Sequence, residues 1–211
     1  MKALLWKIKR SPYVSIILVA VNCILFFLCQ ILGERLYMMG YLGMRGILIE
    51  KEYGRFLWSM FFHSDLQHLF NNMILLLFMG SMLEKIVGHL PYTILYFLSG
   101  IGGGVLSLLV KYLESDWSNS IGASGAIFGL DGLLLAVVIL LCDRVADVTP
   151  MRVGLMIGLS LYSGFTGENI DNAAHVGGLL VGLITGLIIC AVIRIRQDKQ
   201  GYRNATIRIY R

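Results

Sequence analysis

Gly122-Ala-Ser-Gly-Ala-Ile-Phe-Gly-Leu-Asp-Gly-Leu-Leu-Leu-Ala-Val-Val-Ile-Leu-Leu-Cys142 holds a single ionisable side chain, Asp131, in 21 residues. About 20 consecutive apolar residues match the thickness of a bilayer's hydrocarbon core, so this stretch predicts a membrane-spanning helix. Similar runs predict five more, near 12–32, 65–84, 91–112, 150–166 and 173–193. The fifth in chain order is the shortest. The polar stretch from Gly33 to Arg55 is expected to be the one long loop. The expected fold class is an all-α membrane protein, a six-helix transmembrane bundle forming one domain over 1–211.

Composition points the same way. The chain is 57% hydrophobic and 15% charged, with a mean hydropathy of +0.74, and a soluble domain rarely carries so little charge. Six spans with short connections leave no length for a separate soluble domain. The run from Pro12 to Leu32 exceeds a signal-peptide core and has no small-residue cleavage site, so it is expected to be retained. The net charge of +5 would suggest nucleic acid in a soluble protein. Here the basic residues gather at the two ends, where they set membrane orientation instead, and no nucleic-acid partner is expected.

An even number of spans puts both termini on one side. With both inside, the cytoplasmic face holds Lys2, Lys7, Lys9, Arg10, Lys85, Arg144, Arg152 and six cations after Ile193, 13 of the 18 Lys and Arg. Arg35, Arg45, Lys51, Arg55 and Lys111 remain outside. The excess of positive charge inside predicts cytoplasmic termini. Cys23, Cys29, Cys142 and Cys190 lie in or at the ends of apolar runs, where cysteine behaves as a small hydrophobe. No metal cluster and no cofactor are expected.

Polar side chains inside spans are costly and therefore mark functional sites. In the inside-out arrangement the second, fourth and sixth helices all begin at the outer surface. His68 and Asn72 then sit in the first turns of the second, Ser124 at the start of the fourth, and Asn172 with His175 at the start of the sixth. Topology alone brings these groups to one depth. Ser64 and Gln67 have the spacing of a capping box, with Asp65 in the first turn. His68 and Asn72, four residues apart, share a helical face.

Such a cluster suits acyl transfer. Ser124 lies among backbone N–H groups that lack intrahelical acceptors, which can hold an oxyanion with help from the helix dipole. His175 is placed to accept the serine proton, and His68 and Asn72 carry donors for the developing charge. Gly125, Gly129 and Gly132 on the fourth helix and Gly178, Gly182 and Gly186 on the sixth follow helical spacing. Small residues let membrane helices approach closely, which predicts a tight contact between these two. Each signal alone has an ordinary structural explanation: a capping serine, a packed histidine, generic packing glycines. Their shared depth is what favours a site.

These residues resemble the rhomboid family of intramembrane proteases over roughly residues 55 to 186. The family's His-x4-His-x3-Asn reads as His63, His68 and Asn72. Its Gly-x-Ser-Gly reads as Gly122, Ser124 and Gly125, and its Ala-His-x-x-Gly-x3-Gly as Ala174, His175, Gly178 and Gly182. The resemblance implies a Ser124/His175 dyad with no third acid. It also implies an oxyanion site from the Ser124 N–H with His68 and Asn72, a structural role for His63, and Phe128 stacked on His175. Candidate oxyanion and substrate-binding residues are His68, Asn72, Gly122, Ala123 and Asn172, with His63 and Phe128 in support. The partners it implies are the lipid bilayer and single-span membrane proteins, cut near the outer surface. A bacterial plasma membrane is the expected location.

Arg55 matches the arginine of the family's Trp-Arg pair, but Gly54 stands in place of the tryptophan. Glu84 matches a structural glutamate at the inner end of the second helix. Asp131 lies seven residues after Ser124, about 10 Å deeper on nearly the same face, and is expected to pack rather than catalyse. Two other readings compete. A catalytically inactive relative that binds membrane clients would be expected to lose Ser124 or His175, and both are present. A small metal transporter would need ligands near the midplane, whereas His89 is expected in a cytoplasmic loop.

Overall fold

In the computed structural model, residues 11–141, 150–165 and 170–199 are described. The termini, Cys142 and Arg144 lie outside them, as do the inner end of the fourth expected span and the last residue of the fifth. Helix α1 (Tyr13–Leu32) is followed by α2 (Glu34–Gly40), a π turn (Arg45–Ile49), and α3 (Arg55–Trp58). Next come α4 (Leu66–Leu75), a π turn (Leu76–Gly80) and α5 (Ser81–Val87), which form one rod, then α6 (His89–Glu114). The chain continues as α7 (Ser124–Leu141), α8 (Pro150–Phe165) and α9 (Asn172–Lys199). Among the described residues the only strand-like pairing is a single bridge between Leu42 and Ser120.

The protein is an all-helical, multi-pass membrane protein. Among the described residues five helical stretches are long and apolar enough to cross a bilayer: Tyr13–Leu32, Leu66–Val87, His89–Glu114, Ser124–Leu141 and Asn172–Lys199. The expected fifth span corresponds to α8, of which 16 residues are described.

Helix α7 is the central post. Leu130, Leu133, Leu134, Val137 and Leu141 are completely enclosed, because α6, α8, α9 and the α4–α5 rod surround it. Helix α9 instead turns Leu180, Ile184, Ile188 and Val192 outward. That four-residue spacing makes an apolar stripe suited to lipid.

The expected glycine contact is present. A Cβ on Gly178 would strike the Gly125 carbonyl, and one on Gly182 would strike the carbonyl of Gly129. The backbones of α7 and α9 therefore touch directly, and any larger side chain would push them apart. Ser124 and His175 lie at the N-terminal ends of these two helices, at one end of this contact.

Several local expectations are corrected. The stretch from Gly33 to Arg55 is not a bare loop, since it contains α2 and a π turn. Arg55 organises it by donating from Nη1 to the carbonyls of Met38 (3.0 Å) and Tyr41 (2.8 Å). His89 is not in a loop: a single residue, Gly88 at φ 93°, separates α5 from α6, and His89 opens the latter. Its Nδ1 lies 2.6 Å from Glu84 Oε1. Glu84 is fully buried and also accepts the amides of Val14 (3.0 Å) and Ser15 (2.8 Å) and the Ser15 hydroxyl (2.7 Å). A carboxylate placed on unpaired amides at a helix start satisfies donors and opposes the dipole, so Glu84 pins α1 to the bundle.

Candidate active site

The loop before α7 is held from two sides. Leu42 and Ser120 exchange backbone hydrogen bonds of 2.9 and 2.7 Å, and the Gly122 amide donates to the Ser59 carbonyl at 2.9 Å. Gly122 has φ 126°, which strongly favours glycine. Space makes the same demand, since a Cβ there would lie 2.6 Å from His68 Cε1. The turn delivers Ser124 as the first residue of α7, and its Oγ lies 2.9 Å from His175 Nε2.

The His175 ring lies flat against Phe128, with centroids 4.2 Å apart and planes 5° from parallel. Among the described residues its Nδ1 has no hydrogen-bond partner, and the ring's pose is set by Phe128 and by the first turn of α9.

His68 and Asn72 face the same turn from α4. The His68 ring covers Gly122, while Asn72 is buried with its Nδ2 unpartnered and close to the same glycine. A donor left free next to the nucleophile is what an oxyanion site requires. Ala123 is fully buried beneath the turn. Asn172 is exposed at the start of α9 and is among the residues lining the same cleft as Ser124 and His175.

The α4 cap differs from the expected box. Asp65, not Ser64, is the N-cap: its Oδ1 accepts the His68 amide at 2.8 Å. Ser64 instead donates to Asp65 Oδ2 at 2.7 Å and lies 3.0 Å from His68 Nδ1. The His68 amide and the Ser64 hydroxyl hold the Asp65 carboxyl below the usual carboxylate range. His63 is buried against His68 with centroids 5.0 Å apart. Burial, then the neighbouring His68 ring, pushes His63 down to about 3, so it is neutral at ordinary pH. Its carbonyl accepts the Tyr37 hydroxyl at 2.8 Å.

Ser124, His175, His68 and Asn72 line one cleft of about 1160 Å³ that also reaches Ser160 of α8. Asp131 does not line it. It is buried on α7 near Ser160, and among the described residues neither of its oxygens has a hydrogen-bond partner within geometric limits. Among the described residues no group of three or more His, Cys, Asp or Glu could hold a metal ion.

The family named Rhomboid domain matches residues 50–192, which covers α3 to α8, most of α9, and Ser124, His175, His68, Asn72, His63 and Phe128. This chain belongs to the rhomboid family. RHOMBOID-like protein 2 of Arabidopsis thaliana is 34% identical over 175 residues, 82% of this chain and 53% of the relative. RHOMBOID-like protein 4 of the same plant is 34% identical over 153 residues, 72% of this chain and 38% of the relative. Rhomboid protease GluP of Bacillus subtilis is 30% identical over 177 residues, 82% of this chain and 34% of the relative. The chain thus spans about half or less of the length of these relatives.

One part of this rhomboid site escaped the sequence reading. Asp171 precedes α9, and its Oδ1 accepts the Ala174 amide at 2.9 Å. Its Oδ2 accepts the hydroxyls of Ser107 and Ser120 and faces Lys111 Nζ at 3.6 Å. Burial works against this carboxylate, but the two hydroxyls, the amide and the ammonium outweigh it and keep it below the usual range. The signals were available: an Asp directly before a helix start, and a lysine near the end of an apolar run.

Proposed function

We propose that this rhomboid is an intramembrane serine protease that hydrolyses peptide bonds in or near the transmembrane segments of membrane proteins. The observation that carries the reading is the 2.9 Å contact between Ser124 Oγ and His175 Nε2 at the floor of an open cleft. In this mechanism Ser124 Oγ attacks the scissile carbonyl while His175 Nε2 takes its proton. The carbonyl oxygen becomes an oxyanion held by the Ser124 amide and by donors from His68 and Asn72. His175 then protonates the departing amine, the C–N bond breaks, and an ester on Ser124 remains. Water admitted through the cleft gives a proton to His175 and attacks the ester carbonyl; His175 returns the proton to Ser124 Oγ as the ester C–O bond breaks, which releases the acid product and restores the dyad.

The substrates in this reading are single-span membrane proteins that enter from the lipid and are cut near the outer surface. Both termini face the cytoplasm, on the 13-to-5 split of Lys and Arg. The protein acts as one domain: α1 contributes Leu18, Phe26 and Cys29 to the core that it shares with α4 to α9. A bacterial plasma membrane is the proposed location; one bacterial relative, GluP of Bacillus subtilis, stands beside several from Arabidopsis thaliana.

The test is labelling of the detergent-purified protein with a fluorophosphonate serine probe, alongside cleavage of a reconstituted single-span substrate. Wild type should react in both assays, and Ser124→Ala and His175→Ala in neither. A folded wild type inert to probe and substrate would favour a client-binding role instead.

A further inference from the structure

We infer that Asp171 is a positioning residue for the dyad, fixing the first turn of α9 and the nucleophile loop to the outer end of α6 through one carboxylate. The inference rests on the protease reading, and it concerns residues that take no part in the bond-breaking steps above.

The two halves of the Asp171 carboxylate do different work. Oδ1 caps α9 through the Ala174 amide at 2.9 Å, and the Asp171 carbonyl accepts the His175 amide at 3.2 Å. Together they define the turn from which the His175 ring projects. Oδ2 receives the hydroxyls of Ser107 on α6 and Ser120 in the nucleophile loop, which themselves lie 3.3 Å apart. Lys111 completes the cluster by donating to Ser120 Oγ and, at 3.2 Å, to the Ser118 carbonyl. Its side chain is 8% exposed and that of Asp171 is 18% exposed, so water screens the pair little.

Three segments of chain thus meet at one group. Ser120 is four residues before Ser124, and Asp171 is four residues before His175. Among the described residues His175 Nδ1 has no hydrogen-bond partner, so the placement of the ring follows the α9 turn and its stacking on Phe128. A misplacement of about 1 Å at a catalytic pair can cost on the order of a hundredfold in rate. Cap geometry at Asp171 should therefore be read out in turnover rather than in substrate affinity.

The experiment compares Asp171→Ala, Asp171→Asn and the double variant Asp171→Ala/Lys111→Met, each measured for kcat, KM, probe-labelling rate and thermal unfolding in detergent. Asp171→Ala should lower kcat and labelling by about tenfold or more with KM within about twofold, because the dyad is misaligned. Asp171→Asn keeps one oxygen for the Ala174 amide, a cap role asparagine fills well, and should recover most of that loss. The double variant removes the buried lysine left unpaired by the first change. It should regain thermal stability without regaining kcat, and it carries the comparison if Asp171→Ala alone does not fold. Recovery of kcat along with stability would show that Asp171 merely balances Lys111, and would overturn the inference. So would a near-normal kcat in Asp171→Ala, an Asn variant no better than Ala, or a raised KM at unchanged kcat, which would make Asp171 a substrate contact. A wild type inert to probe and substrate would remove the protease reading and this inference together, whereas an active wild type with an equally active Asp171→Ala removes only the inference.

Discussion

The imidazole of His175 and the ring of Phe128 are stacked almost in parallel, 4.2 Å between centroids, on two helices whose backbones meet at glycine. Phe128 lies one turn after Ser124, so the residue that carries the nucleophile and the residue that supports the base share one helix. A stacked aromatic pair contributes about 0.5–1.5 kcal/mol beyond its burial. Phe128→Leu should therefore lower kcat by roughly threefold to tenfold, with KM little changed and with slower labelling by a serine probe. Unchanged labelling would mean that α9 alone sets the ring.

Removal of either oxyanion donor should act on the transition state. By comparison with other oxyanion holes, Asn72→Ala should lower kcat on the order of 10²–10³-fold and leave KM nearly unchanged. The double variant with His68→Ala should lose less than the product of the two. Steady-state kinetics on a reconstituted substrate distinguishes this from substrate binding, which would raise KM at constant kcat.

Asp131 gives the opposite expectation. It is buried, is not itself among the cleft-lining residues, and has no hydrogen-bond partner within geometric limits among the described residues. Asp131→Asn should keep kcat within about twofold, while Asp131→Leu should change thermal stability. A loss of several powers of ten in well-folded Asp131→Asn would assign it to the chemistry.

The Asp65 cap makes a pH-dependent contribution. Its folded carboxyl lies below the usual range, so its contribution is fully present above the unfolded value near 3.9. It is lost as pH falls through the lower folded value. Asp65→Ala should cost about 1 kcal/mol at pH 7, the usual scale for a lost cap. Wild type and variant should converge in thermal midpoint in strongly acidic solution. Asp65→Ser, which keeps an acceptor, should sit between them at pH 7.

The long helices were legible because a span needs only a sustained apolar run, and the runs around Leu18, Leu133 and Ile188 are unmistakable. Helix α8 was the faintest in the sequence, because its apolar run is the shortest of the six. The glycine contact was legible from spacing alone. What the sequence hid depends on single dihedrals or on distant partners. Ser64 and Asp65 are both good caps, and only the extended backbone at Asp65 (φ −155°, ψ 170°) makes it the N-cap. Asp171 meets Ser107 across 64 positions of chain, a pairing that no local pattern announces. His89 looked like a loop residue because one glycine, Gly88, was enough to end one helix and begin the next.

The meeting of α7 and α9 at Gly125–Gly178 and Gly129–Gly182 places main chain against main chain beneath the dyad. Main-chain atoms in a helix have no alternative rotamers, so the spacing there cannot drift as neighbouring side chains reshuffle with temperature or with the surrounding lipid. The same rigidity removes any graded tolerance: one added methyl group must move a whole helix. Directed evolution of this scaffold should therefore find room for new specificity around the cleft and almost none along that seam.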